Sequence, residues 1–143
     1  MKIALGSDHG GFKLKEEIKK YLSKKNIGYK DFGTNSEESC DYPDYAFPAA
    51  EAVAKGEFDR GILICGSGVG VSIVANKVKG IRAVNAFSED IARQSREHGD
   101  ANVLALGGRY LSIEKALNII DVWISTPFST DERHLKRIRK IER

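Results

Sequence analysis

The sequence is poor in cysteine and histidine, which limits the kinds of site it can hold. Its 143 residues include 2 cysteines and 3 histidines. Cys40 and Cys65 lack CxxC spacing and are too few for a disulfide framework, so we expect a reducing, cytoplasmic location. The histidines, His9, His98 and His134, are scattered along the chain and match no zinc-binding spacing. We therefore expect no metal site.

Long hydrophobic runs and a strong charge of one sign are also absent. No apolar run approaches the ~18 residues that a membrane helix needs, and the N-terminal MKIAL lacks the basic and apolar regions of a signal peptide. Lys and Arg (23) nearly balance Asp and Glu (20), which leaves a net charge of +3. This mild charge fits a small anionic ligand, and alone it is too weak to indicate nucleic-acid binding. We expect neither a membrane nor a nucleic-acid partner.

Length and composition predict one soluble globular domain. Of the 143 residues, 41% are hydrophobic and 30% are charged. A chain of this length buries a core of its own, and this composition is typical of globular rather than disordered proteins. The sequence contains no repeat, linker or low-complexity segment, so we predict a single domain over 1–143.

Strand-like and helix-like segments alternate along the chain. The pattern predicts strands over 2–5, 29–33, 61–65, 81–87 and 101–106, and helices over 12–25, 45–56, about 69–77, 88–98, 112–125 and 129–143. The third strand is apolar throughout, as in parallel strands that are buried on both faces. We therefore predict an α/β fold in which helices cover both faces of a five-stranded parallel sheet.

Several residues predict where the helices begin and end. Pro48 falls in the first turn of the helix over 45–56, where proline is tolerated. Ser88 precedes the fourth helix as its N-cap, and Gly99 ends that helix. Ser129 and Glu132 have the spacing of a capping box for the final basic helix.

The predicted topology indicates where a ligand binds. In open parallel sheets, ligands bind beyond the carboxyl ends of the strands, near the point where the strand order reverses. We therefore expect the functional residues to follow the strands, at 6–11, 33–43, 65–70, 85–88 and 107–109.

The segment GILICGSGVGVSI (61–73) runs from the third strand into a glycine-rich loop. Val71 stands where a dinucleotide fingerprint needs its third glycine, and the Gly-Lys-Ser/Thr of a Walker loop is absent. What remains is a series of backbone N–H groups at a helix N-terminus, which suits an oxyanion or a phosphate. Cys65 adjoins this positive end, which favours a thiolate. A thiolate there can attack a carbonyl carbon or remove a proton next to one; alternatively, Cys65 is only a small apolar residue of the core.

Other strand and helix ends carry charged or protic side chains. Asp8 follows the first strand in GSDHGGF, where it is either catalytic or a helix cap. Arg109 follows the fifth strand and His98 ends the fourth helix. Arg133 and Arg137 are four residues apart, so their Cβ atoms lie about 5–6 Å apart on one helix face and the guanidinium groups could clamp a phosphate. A solvated basic face is the simpler explanation, and nucleic-acid contact lacks interleaved aromatic residues.

Taken together, several motifs resemble the ribose-5-phosphate isomerase B family, which includes galactose-6-phosphate isomerase subunits. The matching segments are GSDHGGF, DYPDYA, GILICGSGVGVSIVANKVKGIRA, HGDANVLALGGR and RHLKR. The resemblance runs from residue 2 to the last helix, and CGSGVG with ANKVKGIRA is the most specific part. It implies a Rossmann-like, three-layer αβα fold and an aldose–ketose isomerase of the pentose phosphate pathway that uses no metal, nucleotide or other cofactor.

The resemblance also implies roles for individual residues. Cys65 would remove the proton between the two sugar carbons to give a cis-enediolate, and Ser67 would assist the loop amides that hold its oxygen. Asp8 would handle protons on the sugar oxygens, and His98 would open the furanose ring. Ten further positions match substrate-binding ones, the basic residues chiefly at the phosphate: His9, Tyr42, Gly66, Gly68, Val69, Gly70, Gly99, Arg109, Arg133 and Arg137.

Family members are dimers or tetramers whose site lies at the subunit interface. The resemblance therefore implies a homodimer or tetramer and a C-terminal helix that reaches toward a partner subunit. Two positions depart from the common pattern. Ser67 replaces a frequent threonine and keeps the hydroxyl, whereas Gly99 replaces a frequent asparagine that contacts the sugar. The expected substrate is ribose 5-phosphate; a six-carbon phosphosugar such as allose or galactose 6-phosphate, or a phosphosugar-binding protein without activity, are the alternatives.

Overall fold

Strands and helices alternate from Lys2 to Ser125, as the sequence predicts, and one further helix follows. The computed structural model describes all residues, 1–143. The strands are β1 (Lys2–Ser7), β2 (Gly28–Asp31), β3 (Arg60–Cys65), β4 (Ala83–Asn85) and β5 (Val103–Gly107), and the helices are α1 (Phe12–Lys24), α2 (Pro43–Ala54), α3 (Val69–Asn76), α4 (Glu89–Gly99), α5 (Ile113–Ser125) and α6 (Glu132–Ile141). A short 3-10 turn, His9–Gly11, precedes α1.

All strand pairs are parallel, and the sheet order is β2-β1-β3-β5-β4. The order reverses between β1 and β3, because the chain adds β2 on one side of β1 and the other strands on the opposite side. Ser7 of β1 pairs with Ile64 of β3, and Cys65 pairs with Gly107 of β5. The carboxyl ends of these three central strands are therefore level with one another.

The core consists of two apolar layers, one on each face of the sheet. On one face, α1 and α5 contribute large side chains, among them Ile18, Leu22 and Trp123, which are fully buried, and α4 contributes Ala92. On the other face, α2 and α3 contribute mainly alanine and valine, such as Ala49 and Val71. Small residues let these two helices approach the sheet closely. The three-layer α/β prediction is confirmed.

Two predicted helix starts are wrong by a few residues. Helix α2 begins at Pro43, so Pro48 lies inside the helix rather than in its first turn. Pro43 takes the first helical position, for which its fixed φ is suited. Helix α6 is capped by Asp131, whose carboxylate accepts a hydrogen bond from the N–H of Arg133 at 2.8 Å, and not by Ser129.

Strand β4 and the end of α4 also differ from the prediction. The strand covers 83–85 rather than 81–87, and just before it the N–H of Arg82 donates to the Asn102 side chain rather than to a strand neighbour. Gly99 is the last residue of α4, and the left-handed residue after it is Asp100, with φ of 45°. Aspartate tolerates this conformation better than most residues. The Ser88 cap is confirmed, since its Oγ accepts from the N–H of Ile91.

None of the helices combines the length and apolar character that are needed to cross a membrane.

Candidate active site

A cleft of about 660 Å³ opens at the carboxyl edge of the sheet, where the strand order reverses. The loops after β1, β3 and β5 and the start of α2 form its walls. Its lining residues are Asp8, Tyr42, Cys65, Gly66, Ser67, Val69, Gly70, Ile73, Arg109 and Tyr110. Eight of these ten are residues that the sequence singles out, so residues predicted from separate strand ends line one cleft.

Cys65 belongs both to the core and to the cleft. It is the last residue of β3, 5% exposed and packed in the apolar layer beneath α2 and α3. The residue also lines the cleft, and its Sγ accepts a hydrogen bond from the N–H of Gly68 at 3.2 Å. Gly68 is the N-cap of α3, where the helix dipole favours negative charge. Cys65 is therefore a core residue that also lines the cleft, and its role in proton transfer stays a prediction.

The loop after Cys65 presents backbone N–H groups to the cleft. The N–H groups of Gly66, Ser67 and Gly70 donate no hydrogen bond within the chain, whereas that of Val69 donates to the Ser67 hydroxyl at 3.2 Å. Successive N–H groups of this kind at a helix N-terminus form an anion-binding surface. The thiol and the oxyanion donors that the sequence predicts are therefore adjacent.

Two glycines of this loop lie where a side chain would not fit. Gly68 has φ of +81°, and a Cβ atom there would lie 2.5 Å from Oδ1 of Asn85. A Cβ atom on Gly70 would lie 2.6 Å from the Tyr42 ring. Tyr42 immediately precedes α2, so close packing on Gly70 brings its ring to the cleft wall. Glycine at these positions lets the neighbouring groups approach the loop closely.

Asp8 is a cap and a cleft residue at the same time. Its Oδ1 accepts a hydrogen bond from the N–H of Gly11 at 3.1 Å, which caps the turn His9–Gly11. The residue is 7% exposed and lines the cleft together with Cys65, directly after the neighbouring strand β1. The capping bond fixes the carboxylate in place, and this leaves Oδ2 to face other groups.

His9 lies in an adjoining cavity of about 390 Å³, which shares Arg109 with the cleft. Its Nδ1 accepts a hydrogen bond from the N–H of Cys40 at 3.2 Å. An accepting Nδ1 carries no proton, so the proton of the neutral ring lies on Nε2. The Arg109 side chain lies over Gly66, where a Cβ atom would be 3.1 Å from Nη1. His9 and Arg109 thus extend the site beyond the loop of Cys65.

The other predicted site residues lie at the opposite edge of the sheet. Helix α4 runs antiparallel to the strands, so His98 and Gly99 at its end lie at the amino edge. Arg82, just before β4, donates to the carbonyl of Gly99 at 2.8 Å, which fixes this position. A strand of six residues spans roughly 20 Å, so this group is far from Cys65 within one chain.

The first turn of α6 brings its basic residues to the same amino edge. His134 stacks on His98 with ring centroids 4.1 Å apart and an interplanar angle of 17°. Arg133 and Arg137 are exposed on α6 beside this pair. Burial lowers the pKa of His134, and the positive charges of neighbouring groups lower it further. Helix α6 thus packs on α4 of its own chain.

Three residues near the cleft are not singled out from the sequence, although one of them, Asn85, lies in the segment 85–88 that the strand-end rule predicts. Ile73 lines the cleft one helical turn after Val69, and Tyr110 follows Arg109 directly. Helical spacing and chain adjacency could have suggested both. Asn85 ends β4 and donates from Nδ2 to the carbonyl of Ser67 at 3.4 Å, so it supports the loop from below. Only the folded structure brings Asn85 to that loop.

The arrangement suits proton transfer next to a carbonyl group. A thiol sits beside free N–H donors that could hold a developing oxyanion, and a carboxylate fixed by a capping hydrogen bond follows the adjacent strand. No group of three His, Cys, Asp or Glu side chains is placed to bind a metal ion.

Comparison with known proteins identifies the family. The sequence profile of the Ribose/Galactose Isomerase family matches residues 3–141. Ribose-5-phosphate isomerase B of Escherichia coli (strain K12) is 49% identical over 140 residues, which cover 98% of this chain and 93% of that protein.

Solved structures agree with the sequence relatives. Ribose-5-phosphate isomerase B of Clostridium thermocellum superposes with a TM-score of 0.97 at 53% identity, covering 99% of this chain and 95% of the other. The Mycoplasma genitalium enzyme with bound ribulose-5-phosphate gives a TM-score of 0.94 at 42% identity, covering 99% of this chain and 93% of the other. The chain therefore belongs to the ribose/galactose isomerase family.

Proposed function

We propose that this protein interconverts D-ribose 5-phosphate and D-ribulose 5-phosphate. The observation that carries the proposal is Cys65, which meets free backbone N–H donors in the cleft where the strand order reverses. The relatives named above are ribose-5-phosphate isomerases, and this chain matches them over nearly their whole length. This similarity supports ribose 5-phosphate as the substrate.

The chemistry begins on the open-chain aldose. The thiolate of Cys65 removes the proton from C2, the C2–H electron pair forms the C1–C2 double bond, and the carbonyl electrons move to O1. The N–H groups of the loop over 66–70, with the Ser67 hydroxyl, hold the negative oxygen of this cis-enediolate. Asp8 moves the proton from O2 to O1, and the Cys65 thiol returns a proton to C1. The product is the ketose, with no net change in atoms or charge.

Ribose 5-phosphate exists mainly as a furanose, so its ring must open before C2 can react. In our proposal His98 assists this step by moving the proton between O1 and the ring oxygen. His98 and Cys65 lie at opposite edges of one sheet, so a single chain does not bring them to the same sugar. We infer that His98 of one subunit serves the cleft of another.

The residues proposed to bind the phosphate are likewise divided between two subunits. His9 and Arg109 border the cavity next to the cleft and would contact the phosphate from the subunit that provides Cys65. Arg133 and Arg137 are exposed beside His98 at the opposite edge, and would contact it from the partner. Guanidinium groups bind phosphate through paired N–H donors.

The surface around the cleft supports a homodimer. Four large apolar side chains lie there: Val69, Ile73, Phe87 and Tyr110, with exposed fractions of 50%, 56%, 46% and 72%. Val69, Ile73 and Tyr110 line the cleft itself, and the rings of Phe87 and Tyr110 pack edge to face. Exposed apolar side chains that group together are typical of an interface. A second copy that covered them would also bring its His98 and basic helix to the cleft; a tetramer would need a further interface.

Gly99 favours a second candidate substrate, a six-carbon phosphosugar such as allose or galactose 6-phosphate. A Cβ atom on Gly99 would meet nothing within 4 Å, and the residue lies in an ordinary helical turn. Neither space nor backbone conformation requires glycine there. In a cleft that two subunits share, the lack of a side chain at Gly99 would leave room for the additional carbon of a six-carbon sugar.

The proposal is tested by comparing kcat/KM for ribose, allose and galactose phosphates. We expect ribose 5-phosphate to be the best substrate. Gly99→Asn should leave the melting temperature unchanged and lower any activity on six-carbon sugars more than that on ribose 5-phosphate. A higher kcat/KM for a six-carbon sugar would replace the proposed substrate, and no turnover of any of the three would reject the isomerase.

A further inference from the structure

His98 and His134 form a stacked pair whose two rings are unequally exposed. His134 is 8% exposed, whereas His98 is exposed to solvent. The centroid distance of 4.1 Å and the angle of 17° place the rings face to face. One face of His98 is therefore covered by His134, and its ring nitrogens stay accessible at the ring edge.

His134 also contacts Arg133. Nη2 of Arg133 lies 3.4 Å from Nε2 of His134. A guanidinium group has only donors, so Nε2 is the acceptor and the proton of the neutral ring lies on Nδ1. Burial, His98, Arg133 and Arg137 all lower the pKa of His134, and Asp131 opposes them. A neutral ring can stack on His98 whether or not His98 carries a proton.

The backbone around His134 is fixed at both ends of α6. The N–H of Ser129, before the helix, donates to the carbonyl of Glu97 on α4 at 3.3 Å. At the other end, Glu142 accepts from Nη1 of Arg82 at 2.8 Å. Arg82 also holds the carbonyl of Gly99, next to His98. The position of His134 relative to His98 is therefore set by the packing of α6 on α4.

We propose that His134 is a positioning residue that orients His98 for ring opening and Arg133 for the phosphate. Its ring restricts the rotation of the His98 imidazole, and its Nε2 restricts the Arg133 guanidinium. One buried side chain thus sets the geometry of two groups that would reach the substrate together. This inference rests on the proposed function, because it concerns how the furanose of ribose 5-phosphate is opened.

Ring opening and proton transfer can be measured separately, because only the reaction that starts from ribose 5-phosphate requires ring opening. Ribulose 5-phosphate is always open-chain, because its C5 oxygen carries the phosphate and cannot close a furanose ring on C2. Exchange of its C1 proton with deuterated water needs the enediolate chemistry at Cys65 and no ring opening. Turnover of ribose 5-phosphate needs both. A residue that acts through His98 therefore affects turnover of ribose 5-phosphate and leaves C1 exchange of ribulose 5-phosphate unchanged.

Two substitutions separate the two contacts of His134. His134→Gln keeps a hydrogen-bonding side chain and removes the ring. We expect kcat with ribose 5-phosphate to fall about tenfold or more, because small errors in orientation are costly, while C1 exchange of ribulose 5-phosphate stays within about twofold of wild type. His134→Phe keeps the ring and removes the acceptor, so kcat should be largely retained and KM should rise. Lys136→Gln, exposed on the same helix, is the control.

Other outcomes would overturn the inference. Wild-type kcat and KM in both variants would show that neither contact matters. A parallel loss of ribose 5-phosphate turnover and C1 exchange in both variants would show a merely structural role. If His134→Gln does not fold, the retained kcat and raised KM of His134→Phe still decide the question. If the wild-type protein neither converts ribose 5-phosphate nor exchanges the C1 proton of ribulose 5-phosphate, the proposed function fails together with this inference. That outcome is distinguishable from the two results above, in which the wild-type protein is active.

Discussion

Cys65 combines two properties that usually exclude each other. It is buried at the end of a central strand, yet it lines an open cleft and its sulfur accepts a hydrogen bond from a helix N-terminus. A strand that ends at the cleft explains both, because its last residue packs in the core and also borders the cleft. The protein thus holds its proposed base rigidly, which favours precise proton transfer.

Gly70 provides a test of the cleft wall at the scale of one residue. We expect Gly70→Ala to displace the Tyr42 ring, which lies 2.6 Å from the new Cβ position, and so to lower kcat/KM about tenfold through overpacking. The check is steady-state kinetics with ribose 5-phosphate. Gly28→Ala on the edge strand is the control, since its Cβ atom would have no neighbour closer than 3.9 Å. Equal kinetics for the two variants would mean that Tyr42 does not shape the cleft.

Residues at the carboxyl edge could be predicted from the sequence, whereas their supports could not. Asp8 and Arg109 follow predicted strands and Cys65 ends one, and parallel strands necessarily bring their carboxyl ends to one edge. Asn85 supports the loop of Ser67 through a contact 18 residues apart in sequence. The pattern of apolar residues does not predict that contact, because it depends on the sheet order, in which β4 is the edge strand and β5 lies between β4 and β3.

At the scale of elements, α1 and β2 are joined by a buried ion pair. Nζ of Lys15, whose side chain is fully buried, lies 2.6 Å from Oδ2 of Asp31. Lys19 adds a second cation at 3.1 Å, and the N–H of Gly33 donates to Oδ1 at 2.8 Å. These groups fix edge strand β2 to the helix that covers it. The chain then continues toward the loop of Tyr42.

The pKa of Asp31 makes this contact sensitive to acid. Burial alone would raise that pKa, but the hydrogen bonds from Lys15, Gly33 and Lys19 outweigh it and lower the pKa below its ordinary value of 3.8. A carboxyl group with a lowered pKa binds fewer protons in the folded state than in the unfolded state. Its stabilising contribution is therefore present above that ordinary value and is lost as the pH falls below it.

We expect Asp31→Asn to lower the free energy of unfolding by about 3 kcal/mol at neutral pH, because the buried Lys15 loses its close partner at 2.6 Å and keeps only the longer contact with Glu16 at 3.4 Å. Urea unfolding over a range of pH measures this, and the gap from wild type should narrow below about pH 4. The matched control is the double variant Lys15→Met with Asp31→Asn, which replaces the buried charge and should be more stable than Asp31→Asn alone. A constant gap at all pH values would contradict the account.

The elements themselves were largely predictable, and their ends were less so. Strand and helix periodicity is local, so all five strands and all six helices were identified. The start of α2 was wrong because Pro43 takes the first helical position, and the cap of α6 and the length of β4 were wrong because each depends on competing local hydrogen bonds. At α6, for example, Asp131 caps in preference to Ser129.

At the scale of the whole molecule, the predicted site residues divide between two edges of the sheet. Cys65 and Asp8 lie at the carboxyl edge, and His98, Arg133 and Arg137 lie at the amino edge. Sequence patterns identify candidate residues but give no information about which copy of the chain provides each one. The division supports the proposed shared site more directly than the family resemblance does.

Mixing inactive subunits tests whether the site is shared. Cys65→Ala and Arg137→Ala should each be inactive alone, and together they should recover activity, because a mixed dimer contains one cleft free of both changes. With random exchange we expect about a quarter of the wild-type activity per subunit, since half of the dimers are mixed and each has one intact site of two. Co-purification with two different affinity tags confirms mixed dimers. No recovery in such dimers would place both residues in one chain's site.

The central claim is that Cys65 transfers the proton between C1 and C2 of a phosphosugar. The most direct measurement is nuclear magnetic resonance of ribose 5-phosphate incubated with the protein in deuterated water. We predict deuterium at C1 of the ribulose 5-phosphate formed and at C2 of the recovered ribose 5-phosphate, and none at either position with Cys65→Ala. Label incorporation by the folded Cys65→Ala variant at the wild-type rate would contradict the account.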